Sequence, residues 1–235
     1  DLGLMTRGSG VGFTHRVTRY MEQRGVPEAR LRRLLVTAGY FEHRNLFFKL
    51  ELHPDGREQL SWYLRRRPTL DVALGWLGAG GVQPPALEAL EAAAAALGKQ
   101  TVHFLGAAED PGGAPTEKIY LSQPPEASWD ALLAAGDAAG LPRAAWDPLL
   151  VFRPALEGLG CFLSLEFRDG ALLPGLKLDI AHAPTDIGDA LAGAGADQSA
   201  LLRELFRRQS YDYLGVRLHP DRPPTVKVYA YRQHD

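Results

Sequence analysis

Four stretches of this chain alternate between aliphatic and polar residues, and a turn interrupts each of them. The last, at 211–233, reads YDYLGVRLHPDRPPTVKVYAYRQ; the others lie at 46–66, 102–122 and 161–182. A period of two indicates strands with two unlike faces, so each stretch is predicted to be a β-hairpin. Four hairpins spaced by about 55 residues form an internal repeat, which constrains the fold more strongly than local propensity does.

The segments between the hairpins carry apolar residues at helical spacing. Helices are predicted at 16–22 and 27–40, from a Thr69 cap, from Ala86, from a Ser128 cap to Ala139, and at 142–150, 185–191 and 199–208. Residues 1–14 have no usable periodicity and are expected to be irregular or to belong to an incomplete hairpin. The predicted unit is therefore helix, helix, strand, strand, repeated four times.

Sequential antiparallel hairpins joined by amphipathic helix pairs are most simply assembled as one α+β domain, residues 1–235, with the helices outside an antiparallel β-barrel. Closure removes the sheet edges and turns the polar strand face into a lumen. The alternative is an open sheet, an interaction protein whose lysines and tyrosines lie in bulk water.

Composition excludes several other classes of protein. The chain has 46% hydrophobic and 23% charged residues and a formal net charge of -2, which favours a globular protein and gives no support for nucleic-acid or membrane-surface binding. Cys161 is its one cysteine, which excludes an intrachain disulfide and favours a reducing cytoplasm. No apolar run is long enough for a membrane span. The chain starts at Asp1 rather than Met, and we expect a missing start, a tag remnant or omitted residues.

The polar strand face carries more cations than carboxylates. If it is enclosed, its charged residues include Lys49, Arg65, Lys118, Lys177, Arg217 and Lys227 against Glu51, Glu166 and Asp179. Isolated buried charges are costly, so a bound polyanion would resolve the excess. Tyrosines two residues from the lysines would place electron-rich rings beside that anion, where they can face a carbocation.

These strands resemble those of the aromatic prenyltransferases of the ABBA or PT-barrel fold, including the indole and cyanobactin-type peptide enzymes. EKIYLSQP at 117–124 is similar to a Lys-x-Tyr strand that binds prenyl diphosphate, and VKVYAY at 226–231 is similar to the closing strand. GLKLDIA at 175–181 matches in Lys177, but Asp179 stands where the family usually has Tyr. The family has ten strands, and the four hairpins here provide eight.

The resemblance implies prenyl transfer from an allylic diphosphate to an aromatic small molecule or a peptide. It implies a base at Glu51, with Glu166 as the rival. The expected diphosphate ligands are Lys49, Lys118, Lys177, Arg217 and Lys227, and the expected shield of the allyl cation is Tyr63, Tyr120, Tyr213, Tyr229 and Tyr231. No cofactor is expected to be required: no DDxxD-like cluster that would hold Mg²⁺ is present, although stimulation by Mg²⁺ is compatible with the scheme. A barrel that binds an anionic or aromatic small molecule or a peptide without turnover is the alternative.

Overall fold

The computed structural model describes residues 2–52, 56–109, 113–125, 128–184, 187 and 212–229. Its strands are β1 (Leu2–Gly8), β2 (Leu46–Leu52), β3 (Glu58–Leu64), β4 (Phe104–Glu109), β5 (Thr116–Gln123), β6 (Cys161–Arg168), β7 (Ala171–Leu172), β8 (Leu176–Ala181), β9 (Tyr213–Leu218) and β10 (Thr225–Tyr229). They are hydrogen-bonded in the order β1-β2-β3-β4-β5-β6-β8-β9-β10, and the short β7 pairs with β6.

The helices fall between the strand pairs. They are α1 (Val11–Gln23), α2 (Glu28–Tyr40), α3 (Leu70–Ala79), α4 (Pro84–Ala96), α5 (Trp129–Ala138), α6 (Asp147–Leu150) and α7 (Arg153–Leu156), with a 3-10 turn at Arg143–Trp146 before α6. The two predicted caps are confirmed, because the Thr69 and Ser128 side chains accept hydrogen bonds from the N–H groups of Val72 and Asp130. None of the helices in the described ranges has the length and apolar character needed to cross a bilayer.

The chain divides into two compact units. The first comprises Asp1–Gln83, Thr101–Ile119 and Glu166–Ala171, and the second comprises Pro84–Gln100, Tyr120–Leu165 and Leu172–Asp235. Strands β5 and β6 contribute residues to both units. The prediction of one domain over 1–235 stays a prediction.

In the first unit, the helices cover one face of the strands. Residues directly opposite in an antiparallel pair share a face, so Phe48 and its partner Trp62 point to the same side. Tyr20 of α1 contacts Phe48 with ring centroids 5.6 Å apart, and Trp76 of α3 contacts Trp62 at 6.0 Å. The aromatic and aliphatic face therefore forms the helix–sheet core.

In the second unit, too, helices cover one face of the strands. Trp129 and Leu132 of α5 and Leu156 of α7 line a small cavity together with Leu178 and Ile180 of β8. Leu163 of β6 lies opposite Leu178, which extends this apolar face across both strands. The polar residues that alternate with them point to the other side of the sheet.

Of the two expectations for residues 1–14, an irregular segment or an incomplete hairpin, the irregular one is wrong. Leu2–Gly8 form β1, which pairs antiparallel with β2, and α1 begins at Val11 rather than Arg16. Apolar residues lie on both faces of this strand, so its sequence does not alternate. Both remain exposed, with 65% of the Leu4 surface and 41% of the Met5 surface accessible to solvent. The signal used for the other strands depends on one buried face, and none of the residues 4–8, for which burial is described, is buried.

The count of eight strands is also wrong. The structure adds β1 and a two-residue strand, β7, within the turn of the third hairpin. The helices predicted at 185–191 and 199–208 lie outside the described residues, apart from Ile187. The fourfold repeat and the closure of the barrel therefore stay predictions.

His103, which precedes β4, generates a pH-dependent contribution to stability. Burial and the charges of Arg65 and Arg67 lower the pKa of His103 to about 4. The unfolded chain takes up this proton at higher pH than the folded chain, so stability falls as the pH decreases from the ordinary histidine pKa towards the lowered one. His103→Gln removes this contribution.

We expect the loss of unfolding free energy between neutral and mildly acidic pH to be smaller in His103→Gln by about 1–2 kcal/mol. Urea unfolding of both proteins near pH 7 and near pH 4.5 measures it. The same loss in both proteins would contradict the role given to this histidine.

Candidate functional site

The polar face of the first unit holds two lysine–carboxylate pairs. Lys49 Nζ lies 2.9 Å from Glu51 Oε1, and Lys118 Nζ lies 3.4 Å from Glu166 Oε1. Lys49 and Glu51 are two residues apart on β2 and so share a face, whereas Lys118 reaches from β5 to β6. We call these four residues and Tyr63 the first cluster.

The charges of the first cluster act on the pKa of Tyr63. It lies on β3 opposite Phe47 and is buried. Burial and the charge of Glu51 raise the pKa of the Tyr63 phenol, whereas the charges of Lys118 and Lys49 lower it, and the net effect is a pKa below its ordinary value. The two lysines therefore favour the ionised form of the Tyr63 phenol despite the opposing charge of Glu51.

Lys177 is the centre of the polar face in the second unit. Its Nζ lies 2.7 Å from Asp179 Oδ1 and 2.9 Å from Asp179 Oδ2, and it donates a 2.6 Å hydrogen bond to the Tyr229 hydroxyl. The same ammonium lies 4.7 Å from the centroid of the Tyr229 ring. We call Lys177, Asp179, Arg217, Lys227, Tyr213 and Tyr229 the second cluster.

The strand register brings the other members of the second cluster alongside Lys177. Arg217 lies directly opposite Lys177, Lys227 lies opposite Gly215, and Tyr213 lies opposite Tyr229. Cross-strand neighbours of this kind have closely spaced Cβ atoms. Three cations thus share one strand face with a single carboxylate of the cluster, Asp179, and with two phenols.

Gly215 makes the contact between Lys177 and Tyr229 possible. A Cβ at this position would lie 2.9 Å from Asp179 Oδ1, 2.9 Å from Tyr229 Cε2 and 3.2 Å from Lys177 Cε. Lys177 on β8 therefore reaches Tyr229 on β10 across a strand that has no side chain at that point. Sequence reasoning missed this role, although the glycine interrupts the alternation of the strand.

Asp179 has a contact that the resemblance does not imply. The resemblance expects a tyrosine there, but its carboxylate neutralises Lys177, and a phenol reaches the same ammonium from Tyr229 on another strand. Lys177 on β8 thus contacts a phenol that β10 supplies.

The site lysines are largely shielded from water. The side chains of Lys49, Lys118 and Lys177 are 13%, 12% and 12% exposed. An open sheet with its lysines in bulk water is therefore wrong for these three residues. Of the remaining predicted residues, Tyr120 is half-buried on β5, and Tyr231 lies outside the described residues.

A network of two buried glutamates and two partly buried arginines lies on the opposite face of the first unit and was missed from the sequence. Arg33 NH1 lies 2.7 Å from Glu117 Oε1, and Arg30 NH1 lies 3.4 Å from Glu109 Oε2. Burial raises the pKa of both glutamates, against the charges of their arginines. The available signal was a glutamate at a strand position whose alternation calls for an apolar residue.

This network connects helix α2 to strand β5 immediately before Lys118. The Arg33 guanidinium also lies 4.3 Å from the Trp76 ring centroid and donates to the Trp76 carbonyl oxygen. Because successive strand residues point to opposite faces, Glu117 is held against the helices while Lys118 points to the polar face.

Among the described residues, no group of three or more histidine, cysteine, aspartate or glutamate side chains is arranged to hold a metal ion. Cys161 is buried in the core, where burial and the Asp179 charge raise the pKa of its thiol to about 12.

Comparison with known proteins finds similarity in structure but not in sequence. No protein-family model matches the chain, and no curated protein matches it. Solved structures do match.

The structure of 5-dimethylallyl tryptophan synthase from Streptomyces coelicolor in complex with DMASPP and Trp matches with a TM-score of 0.56 and 20% identity, over 80% of this chain and 59% of that one. PriB in a binary complex with product diphosphate matches with a TM-score of 0.65 and 20% identity, over 92% of this chain and 69% of that one. NotF in complex with brevianamide F and DMSPP matches with a TM-score of 0.70 and 15% identity, over 94% of this chain and 70% of that one.

The chain thus spans 59% to 70% of the length of these three structures. At such identities the likeness shows a shared fold and no more.

Gly215→Ala is expected to reduce the free energy of unfolding by about 1–3 kcal/mol, because the added methyl group overpacks the space between Asp179, Tyr229 and Lys177. The control is Gly75→Ala inside α3, where a Cβ would meet nothing within 4 Å. That substitution should stabilise the protein by about 0.5–1 kcal/mol through helix propensity. Chemical denaturation measures both changes, and a Gly215→Ala protein as stable as the parent would show that the space is not restricted.

Proposed function

We propose, on the premise that the chain has the fold of the aromatic prenyltransferases, that it transfers a prenyl group from an allylic diphosphate to an aromatic or peptide acceptor. PriB has been solved with product diphosphate, and NotF with DMSPP and brevianamide F. The proposal extends ligands of this chemical class to the present chain. The acceptor class, small aromatic or peptide, is left to the assay below.

The observation that carries the proposal is the second cluster. Lys177, Arg217 and Lys227 occupy neighbouring register positions with one carboxylate, and Lys177 touches the phenol of Tyr229. A departing diphosphate needs fixed cations, and the allyl cation that it leaves behind needs electron-rich rings. In the second cluster the two kinds of group are neighbours, because Lys177 Nζ lies 2.6 Å from the Tyr229 hydroxyl.

In the proposed reaction, the bond between C1 of the prenyl group and the diphosphate oxygen breaks, and its electron pair leaves with the diphosphate. Lys177, Arg217 and Lys227 stabilise that charge, and Lys49 and Lys118 have the same role in the first cluster. The π electrons of the acceptor then form a bond to the allyl carbon. The acceptor finally loses a proton to a carboxylate, which restores its aromaticity.

Tyrosine side chains protect the allyl cation in this scheme. Tyr213 and Tyr229 face each other across β9 and β10, and Tyr63, Tyr120 and Tyr231 are assigned the same role. Their rings attract a cation and keep out water, which would otherwise trap the cation as an alcohol.

Glu51 is the proposed base, and Glu166 is its rival. Glu51 is buried and lies against Lys49, so its carboxylate is held in place by a charge-assisted contact. Glu166 is similarly held by Lys118.

The lysines are proposed to take the part that a metal has in other diphosphate enzymes, so the reaction is expected to proceed without added Mg²⁺. In the ligand-free protein each of Lys49, Lys118 and Lys177 lies against a carboxylate. A donor that binds at any one of these lysines must therefore compete with the carboxylate of that lysine. The high charge of a diphosphate favours it in that competition.

The proposal is tested by incubating the protein with dimethylallyl or geranyl diphosphate and with tryptophan, indole, tyrosine or an aromatic peptide, with and without EDTA. Mass spectrometry should detect an acceptor heavier by one prenyl group, at equal yield with EDTA. Saturable binding of pyrophosphate with no product from any acceptor would instead indicate a barrel that binds without turnover. Absence of both binding and product would overturn the proposal.

Substitutions separate the binding role from the chemical role. Lys177→Ala and Lys227→Ala should weaken binding of pyrophosphate by about tenfold each, because each removes one charge-assisted contact. Glu51→Gln should leave binding almost unchanged and lower kcat by about a hundredfold or more.

Lys99→Ala, outside both clusters, is the matched control for the lysine variants. Titration calorimetry and single-turnover kinetics provide the two measurements. If Glu51→Gln turns over normally and Glu166→Gln does not, Glu166 is the base.

A further inference from the structure

Ser164 is a buried polar residue that the proposed reaction does not use. It lies in the middle of β6 with no exposed surface. Its hydroxyl oxygen has no hydrogen-bond partner within the described part of the chain. Buried hydroxyl groups are normally satisfied, since an unmade hydrogen bond costs free energy on folding.

The strand register places this hydroxyl beside the cations of the second cluster. Ser164 lies directly opposite Lys177, and Lys177 lies directly opposite Arg217. These three residues form one row across β6, β8 and β9 and point to the polar face, because directly opposed residues of antiparallel strands share a face. Leu163, next to Ser164, points to the core against Leu178.

Packing alone does not account for a serine at this position. The neighbouring buried residues of β6 on the core side are Leu163 and Leu165, and an alanine at 164 would occupy nearly the same volume without a hydroxyl to satisfy. To bind an anion, the Lys177 ammonium must give up part of its contact with Asp179. Ser164 is a neutral donor beside Lys177, and its hydroxyl can donate without first breaking a contact with a carboxylate.

We propose that Ser164 is a ligand of the anion, donating its hydroxyl hydrogen to a phosphoryl oxygen that Lys177 and Arg217 also bind. The inference rests on the proposed function for the identity of that anion, the diphosphate of an allylic donor. Ser164 completes a row of one hydroxyl and two cations, which suits a phosphoryl group with several acceptor oxygens. The ligand satisfies a hydroxyl that the folded chain leaves unsatisfied.

The test is Ser164→Ala, and it has two readouts that move in opposite directions. In the ligand-free protein, removing an unsatisfied buried hydroxyl should raise Tm by about 2 °C or leave it unchanged. The same substitution should raise the Kd for inorganic pyrophosphate about three- to tenfold, with a smaller ligand-induced shift of Tm. A purely structural serine would show a lower Tm and the same Kd.

Ser9→Ala is the matched control, because the Ser9 hydroxyl lies at the surface and accepts a 3.0 Å hydrogen bond from the Asn45 N–H. Its Kd for pyrophosphate should equal that of the parent. If the parent binds pyrophosphate and Ser164→Ala binds it equally well, the role of Ser164 is refuted and the proposed function stands. If the parent itself binds neither pyrophosphate nor dimethylallyl thiolodiphosphate, both proposals fail.

Discussion

Burying a lysine ammonium on a sheet face costs several kcal/mol unless a carboxylate compensates for the lost hydration. This chain meets that requirement by placing an acid two residues after the lysine, as in Lys49 with Glu51 and Lys177 with Asp179. Residues two apart on a strand share a face, so the pair forms without help from any other element. Lys118 has a tyrosine at that position and finds Glu166 on the neighbouring strand instead. The three pairs allow a polar face to exist within a folded core.

The same pairs limit the free energy that an anion could gain by binding to these lysines. Because each of these lysines already lies against a carboxylate, a ligand gains only the difference between its own charge-assisted contacts and those that it displaces. The second cluster is the more favourable of the two, since it contains Arg217 and Lys227 beside the Lys177–Asp179 pair. Under the proposed function, Asp179 therefore stabilises the ligand-free chain and competes with the diphosphate for Lys177.

Contacts between the sheet and the helices fix the strands that carry the polar face. Arg33 joins Glu117 of β5 to α2 and to the Trp76 ring of α3, and Trp62 donates to Glu109, which also lies against Arg30. Gly215 acts on the other face by leaving room for Lys177 to meet Tyr229. The fold shared with the aromatic prenyltransferases is thus maintained by contacts remote from the residues to which chemistry is assigned.

The sequence by itself determined the buried strands, most of the helices and the polar face with its lysines and tyrosines. It could do so because alternation with one buried face and helical periodicity are local signals. It did not determine β1, whose exposed Leu4 and Met5 remove that signal, or the partners of the charges. Only the tertiary structure decided that Lys177 meets Tyr229, 52 residues away, and that Ser164 lies opposite Lys177. Strand register and the absence of a side chain at Gly215 bring these residues together, and neither can be read from a short stretch of chain.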